Sequence, residues 1–216
     1  MLVLLQKILN FQISKHQRNI ITLKERFLSP MTTTTSTDSR ETRNIIDHYH
    51  YWKHDAILAD LDSKRHNYSV LCSNLYNDFN ISTVVRNGNA FLAREVIIYG
   101  SKQWDRRGAV GTHNYSRMKY FKESEYDGLV EYITNFQLVA FDNIEGSRDL
   151  STFEWNTDKH TLLMFGQEQV GLPQNLLDIA DDIVYIPQYG SVRSLNVGTA
   201  SGIAMYDYCS KTLCAK

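Results

Sequence analysis

The chain is short of cysteine, carries almost no net charge and has no long apolar run. Three cysteines in 216 residues, Cys72, Cys209 and Cys214, make an odd count without paired spacing. That argues against a disulfide framework and for a reducing compartment. Cys209 and Cys214 lie five apart, but no second Cys/His pair completes a zinc site. No stretch approaches the ~18–20 consecutive apolar residues of a membrane span, so a soluble protein without a membrane partner is expected. There is no phosphate loop and no G-x-G-x-x-G after the first strand, which argues against an ordinary nucleotide-binding α/β enzyme. A net charge of −1 means that any nucleic-acid contact must rest on local positive charge.

What is present reads as folded. Hydrophobic residues make up 43% and charged residues 22%, the composition of a globular chain. The length suits one domain plus an extension. Residues 1–30 are basic and nearly free of acid: Lys7, Lys15, Arg18, Lys24 and Arg26 face the single Glu25. Leu2, Leu5, Ile8, Leu9 and Ile13 recur at roughly helical spacing. Such a segment fits organelle targeting, an unstructured extension, or an upstream start with Met31 as the real one. The compartment is accordingly read as cytoplasmic, or mitochondrial if the segment targets. Residues 32–37, TTTTST, are a linker by composition. Residues 1–37 thus form an extension, 38–67 a helical extension and 68–216 the main domain. Asp38 or Ser39 can cap one helix over 40–65, with Ile45, Tyr49, Trp52, Ile57 and Leu61 near one face. His50 and His54 stand at i, i+4, but no glutamate follows His50 and no third ligand is evident, so no metal is expected.

From Tyr68 the pattern changes. Apolar runs at 70–72, 95–100, 136–142, 160–166 and 182–187 read as buried strands. Helical segments are expected at about 79–92, 124–134, 173–181 and 195–211. Strands alternating with helices imply an α/β fold with a largely parallel sheet.

Two late stretches carry the chemistry. HTLLMFGQEQVGLP (160–173) is a strand ending in a Gly-rich turn, with Pro173 at a helix start. Gly166 and Gly171 permit a sharp turn and close approach to a ligand, and Glu168 puts charge at the sheet's carboxyl edge, where such sheets bind ligands. Taken alone, this is equally a plain strand-to-helix turn. IPQYGSVRSLNVGTASGIAMYDY (186–208) places Arg193, Ser194 and Asn196 where the last helix begins, and free N–H groups there favour an anionic or carbonyl ligand. Gly198, Ala200, Ser201, Gly202 and Ala204 are small. Helical glycine is unfavourable by ~1 kcal/mol, so close packing should compensate.

These stretches resemble the second and third motifs of SpoU (TrmH-like) methyltransferases of the SPOUT superfamily. The second reads Phe165-Gly166-Gln167-Glu168-Gln169-Val170-Gly171-Leu172; the third reads Ile186-Pro187, Gly190, then Ser194-Leu195-Asn196-Val197. The first motif is similar to NISTVVRNGNAFLA (80–93), with Asn80 six residues before Arg86. Family members usually carry glycine where Ser82 stands, and often where Leu92 stands. The resemblance runs from Tyr68 to the last helix.

The resemblance implies a parallel sheet with helices on both faces and a deep C-terminal trefoil knot. It implies an RNA ribose 2′-O-methyltransferase, acting on tRNA or rRNA, using S-adenosylmethionine and no metal. Gly166, Ile186, Gln188 and Leu195 would cradle the cofactor. Arg86 would sit at the 2′-hydroxyl and its phosphate, with Asn80, Glu168, Ser194 and Asn196 positioning it and the ribose. Because a guanidinium stays charged, a clamp on phosphate and developing oxyanion is favoured over arginine as the base. A homodimer is implied, with the small residues of the last helix in its interface and Arg86 lent across it.

Residues 101–122 add Lys102, Arg106, Arg107, Arg117, Lys119 and Lys122 against one acid, Asp105, interleaved with Trp104, Tyr115, Tyr120 and Phe121. Cations for phosphate and aromatics for stacking suit RNA, and Arg106, Arg107, Arg117 and Lys119 are the candidates. Two rivals keep the fold: a non-catalytic RNA-binding module, which retention of Arg86, Glu168, Ser194 and Asn196 argues against, and a base methyltransferase, which the Ser-Leu-Asn motif disfavours.

Overall fold

The computed structural model describes residues 44–74, 80–168 and 170–213. The expected targeting segment at 1–30, the linker at 32–37 and the cap at 38–39 lie outside the described residues, as do Gln169 and Cys214. The described residues belong to one compact unit.

Seven strands build one sheet: β1 (Tyr68–Asn74), β2 (Val96–Gly100), β3 (Met118–Phe121), β4 (Phe136–Phe141), β5 (Arg148–Asp149), β6 (His160–Phe165) and β7 (Asp182–Tyr185). Their order is β3-β2-β1-β6-β4-β7-β5, and every pairing is parallel. All carboxyl ends therefore lie on one edge. The helices are α1 (His54–Lys64), α2 (Ile81–Ala90), α3 (Tyr126–Ile133), α4 (Gln174–Leu177) and α5 (Val197–Thr212).

The central strands are continuous apolar runs because both faces are covered. Along β1, β2 and β6, alternate residues go to opposite sides. Val70, Cys72, Val96, Ile98, Leu163 and Phe165 pack with Val84, Val85, Ala204 and Met205 of α2 and α5. Leu71, Ile97, Tyr99, Leu162 and Met164 pack with Leu129, Ile133 and Leu176 of α3 and α4.

The expected helix over 40–65 is instead two pieces where it is described, a 3-10 turn at Asp47–Tyr49 and α1. Lys53 is extended between them. The break lets Tyr49 fold back into a small cluster with Ile57 and Tyr115 and donate its hydroxyl to Asp60 at 2.6 Å. In one straight helix those residues would stand about 16 Å apart along the axis. The edge strands β3 and β5 were not anticipated. They are four and two residues long, too short for a periodic signal, as edges often are. α4 ends four residues earlier than expected, because Asp181 turns back to pair with Leu138, its N–H to the carbonyl and its carboxylate from the amide.

Both departures from the resembled glycine pattern have structural answers. Leu92 adopts φ +51 and closes α2 with paired bonds, Ala93 N–H to Gly88 O and Leu92 N–H to Asn89 O. That is the Schellman ending, in which glycine is the easiest occupant. Ser82 is buried and packs on Gly108, where an added Cβ would come within 3.0 Å of Ser82 Oγ. The missing volume has moved to the opposite segment.

Candidate active site

Three chain segments meet at the carboxyl edge. At the end of β6 the backbone doubles back: Gln167 and Gly171 exchange N–H···O bonds of 3.1 and 2.8 Å, and Gly171 sits at φ +69. Gly166 lies so close beneath the turn that a Cβ there would approach the Gly171 and Leu172 backbone to under 3.0 Å. Glu168 is exposed at the tip. After β7 the chain runs through Ile186, Gln188 and Ser194 to Asn196, which caps α5. Its Oδ1 accepts from the Gly198 and Thr199 amides at 2.9 and 3.3 Å, satisfying donors a helix start leaves open.

The three segments are joined by one polar network. Asn80 donates to Glu168 Oε2 at 2.9 Å. Asn196 donates to Asn80 Oδ1 at 2.8 Å and approaches Glu168 Oε2 at 3.4 Å. Three residues named from separate motifs thus hold one another directly.

Beside this network opens a cleft of about 780 Å³, counting its mouth, with Gly166, Ile186, Gln188, Ser194 and Leu195 in its lining. Phe141 and Phe165 stack in its wall, ring centres 4.9 Å apart at 17°. Asp142 and Glu168 bring carboxylates to it. Gln188 Oε1 is buried and has no hydrogen-bond partner among the described residues, an arrangement that costs stability unless a donor arrives. The lining fits S-adenosylmethionine by chemistry: apolar walls for an adenine plane, carboxylates toward a cation, and an unused acceptor for an amine.

Arg86 is exposed, with no hydrogen bond or ion pair among the described residues. On α2, Thr83 and Asn87 face α5 and Ser82 faces Gly108. At 100° per residue, Arg86 lies on the outward crest between them. The structure therefore brings Asn80, Glu168 and Asn196 into contact, puts Ser194 in the adjoining cleft and leaves Arg86 pointing to solvent nearby.

The basic run is divided. Arg106 and Arg107 are exposed next to Gly108, hence beside α2 and Ser82. Arg106 lies over the Trp104 ring, 5.8 Å from its centre, and Arg107 grips Asp105 and holds that carboxyl down at about 2. Arg117 precedes β3 at the opposite, amino edge and pairs with Asp62 of α1. Lys119 points to the α3 face, its Nζ 3.3 Å from the centre of the Tyr132 ring. Arg106, Arg107, Arg117 and Lys119 do not form one surface.

Residue-by-residue reading missed Asn87, Asp142 and Asn143. Asn87 donates to Gly198 O at 2.7 Å and Ser201 Oγ at 3.0 Å. Asn143 donates to Arg193 O at 3.0 Å. A polar pair directly after an apolar strand, as in FQLVAFDN, is the signal that marks Asp142 and Asn143. The small residues of the last helix are accounted for within the chain: a Cβ on Gly198 would stand 2.7 Å from Thr83, and one on Gly202 3.2 Å from Asn87.

The profile of the SpoU rRNA methylase family matches residues 67–206. The chain belongs to the SpoU family. The tRNA (guanosine(18)-2′-O)-methyltransferase of Aquifex aeolicus is 28% identical over 150 residues, 68% of this chain and 71% of that enzyme. The enzyme of the same name from Escherichia coli K12 is 25% identical over 144 residues, 64% of this chain. This chain spans 61% of that enzyme's length, less than two thirds. The crystal structure of the A. aeolicus TrmH/SpoU tRNA modifying enzyme matches at TM-score 0.60 and 27% identity, covering 71% of this chain and 81% of the other. The AdoMet-bound rRNA methyltransferase of Sinorhizobium meliloti matches at TM-score 0.60 and 24% identity, over 72% of this chain and 60% of that one. The fold is the knotted SPOUT α/β fold that the motifs implied, and the family is one of RNA methylases, whose matched relatives carry the name tRNA 2′-O-methyltransferase.

Proposed function

We propose that this SpoU protein methylates a ribose 2′-hydroxyl of tRNA or rRNA with the Asn80–Glu168–Asn196 network as the floor of its active site and Arg86 as its anion clamp. The observation that carries this is the network itself, which ties all three motifs together at the mouth of the cleft. Gly166, Ile186, Gln188 and Leu195 hold S-adenosylmethionine, which supplies an electrophilic methyl group when bound. Glu168 and Asn196 orient Asn80 at the start of α2, and that helix carries Arg86. The guanidinium pairs with the nucleotide's phosphate and the developing 2′-oxyanion, for which its fork of donors is suited; the hydroxyl's proton passes to that phosphate as the methyl group moves from sulfur to oxygen. Orientation of the hydroxyl against the methyl group is the main source of rate, since positioning can supply ~7–11 kcal/mol.

We further read the working form as a homodimer. Arg86 is exposed on its own subunit, and Ile203 and Tyr206 leave 37% and 64% of their surface open on α5, an apolar stripe that a second copy would cover. The reading of the compartment stays cytoplasmic, with mitochondrial import as the outcome if residues 1–30 direct a fused reporter there.

The test is methyl transfer from radiolabelled S-adenosylmethionine to tRNA and rRNA, digested to nucleosides. Label in 2′-O-methylnucleosides, falling about 100-fold or more in Arg86→Ala, supports the assignment. Label in a base overturns the ribose reading. Folded protein that binds RNA without transferring label supports the binding-module reading instead.

A further inference from the structure

Asn80 is the residue before α2, already in helical conformation, and Asn87 stands seven residues on within it, so they lie two turns apart on nearly the same face. Both reach the same stretch of the chain. Asn80 accepts from Asn196; Asn87 donates to Gly198 O at 2.7 Å and Ser201 Oγ at 3.0 Å. Ser201 is fully buried, and its hydroxyl donates to the same Gly198 carbonyl at 2.8 Å. Gly198 and Gly202 let the two helices approach, the first against Thr83 and the second against Asn87. α2 is thus held to the start of α5 at two points, and Arg86, next to the second, leaves the helix about 100° round from that face.

We propose that Asn87 is a positioning residue for the methyl transfer: it fixes the direction in which α2 presents Arg86 by binding the middle of α2 to the first turn of α5. The inference rests on the proposed role of Arg86. Ile81, Val84 and Val85 fix α2 against the sheet by apolar packing, which sets its depth more firmly than its rotation or slide along α5. The Asn87 hold, two turns on from Asn80, opposes that movement with directional hydrogen bonds, and the carbonyl it uses belongs to the helix that Asn196 caps. The cofactor loops and the arginine therefore share one frame. Asn87 lines no part of the cleft, so its effect on rate is routed through the helix.

The test compares wild type, Asn87→Asp and Asn87→Ala. The aspartate has the same shape but turns an acceptor toward Gly198 O; the alanine removes the contact without repulsion and serves if the aspartate variant fails to fold. The expected result is a kcat for RNA lower by about 10- to 100-fold, as for a small misplacement of a catalytic group, with the Kd for S-adenosylmethionine within about twofold because no cleft contact is lost. An unchanged kcat overturns the proposal, and so does a cofactor Kd that weakens in step with kcat. Amide hydrogen exchange reads the hold without activity. Residues 81–90 should exchange about tenfold faster in Asn87→Ala, the loss of one or two hydrogen bonds, while the β1 and β6 amides stay protected. Unchanged exchange at 81–90 also overturns it. If wild type transfers no methyl group, the functional reading fails, and the exchange result still decides whether Asn87 holds α2.

Discussion

Asn196 Nδ2 donates to Asn80 Oδ1 at 2.8 Å across 116 positions of sequence, while Asn196 Oδ1 caps α5. The two ends of one amide do two different jobs, and substitution can separate them. Asn196→Asp keeps an acceptor for the cap but loses the donor and sets a second carboxylate beside Glu168. Asn196→Ala loses both. The alanine variant should be less stable by about 1 kcal/mol, the usual worth of a cap, which for a chain of this size lowers Tm by about 2–4 °C. The aspartate variant should melt closer to wild type. Methyl transfer should fall in both. An aspartate variant as active as wild type would show that the network plays no part in the reaction.

Gly166 and Gly190 offer a paired test of which motif glycine is required by packing. A Cβ at Gly166 meets backbone at under 3.0 Å, whereas one at Gly190 meets nothing within 4 Å. Gly166→Ala should force the 166–171 turn open, weakening S-adenosylmethionine binding by about tenfold or more and costing about 1–3 kcal/mol of stability, as overpacking does. Gly190→Ala should leave the unfolding temperature within about 1 °C, like a surface change. Calorimetric titration and thermal unfolding of the two variants check both. Equal effects would contradict the packing account.

The parts of this site that were legible in sequence are those where one residue type is chemically forced. Gly166 beneath a tight turn, Asn196 before a helix and Glu168 at a strand's end each announce themselves locally, and their order matched a known family. The buried strands were legible because apolar runs covered on both faces look like little else. The edges were not: β3 and β5 are too short, and Met118–Phe121 stands inside a run whose charge reads as loop. Arg106 and Arg117 looked alike in sequence because composition does not say that the chain returns between them from the carboxyl edge, where β2 ends, to the amino edge, where β3 begins. Asn87 was invisible for a similar reason. Its partners, Gly198 and Ser201, are more than a hundred residues away, and only the closeness of two helices gives its amide a role.

The division of the basic run has a measurable consequence. Arg106 stands two residues from Gly108, which packs on Ser82 in the first turn of the helix that carries Arg86, whereas Arg117 is paired with Asp62 at the other edge. Arg106→Ala should raise KM for RNA by about 3- to 10-fold and lower the slope of log affinity against log salt by about 1, as expected when one phosphate contact is lost. Arg117→Ala should leave KM unchanged. Because that pair is partly exposed, its loss should cost no more than about 1 kcal/mol of stability. Steady-state kinetics at several salt concentrations decide it, and equal KM changes in the two variants would restore a single continuous surface.

His160 gives the fold a dependence on pH that is separate from catalysis. Burial, with Arg94 nearby, pushes its imidazole down from 6.5 to about 4. Its nitrogens are already engaged, Nε2 with Ser69 Oγ at 2.8 Å and Nδ1 with Asn67 Oδ1 at 3.1 Å. In the unfolded chain the ring regains its ordinary affinity for a proton. Above pH 6.5 both states are neutral here and the group contributes no pH dependence. As pH falls from about 6.5 toward 4, the unfolded state takes up the proton first and stability declines; below about 4 both states are protonated and the slope ends. At full strength the loss from this group is about 3 kcal/mol, and solvent screening of a half-buried ring makes it smaller. Denaturant melts of wild type and His160→Gln at pH 7, 5.5 and 4.5 should show the wild type losing stability faster. Parallel curves for the two proteins would place the acid sensitivity elsewhere in the fold.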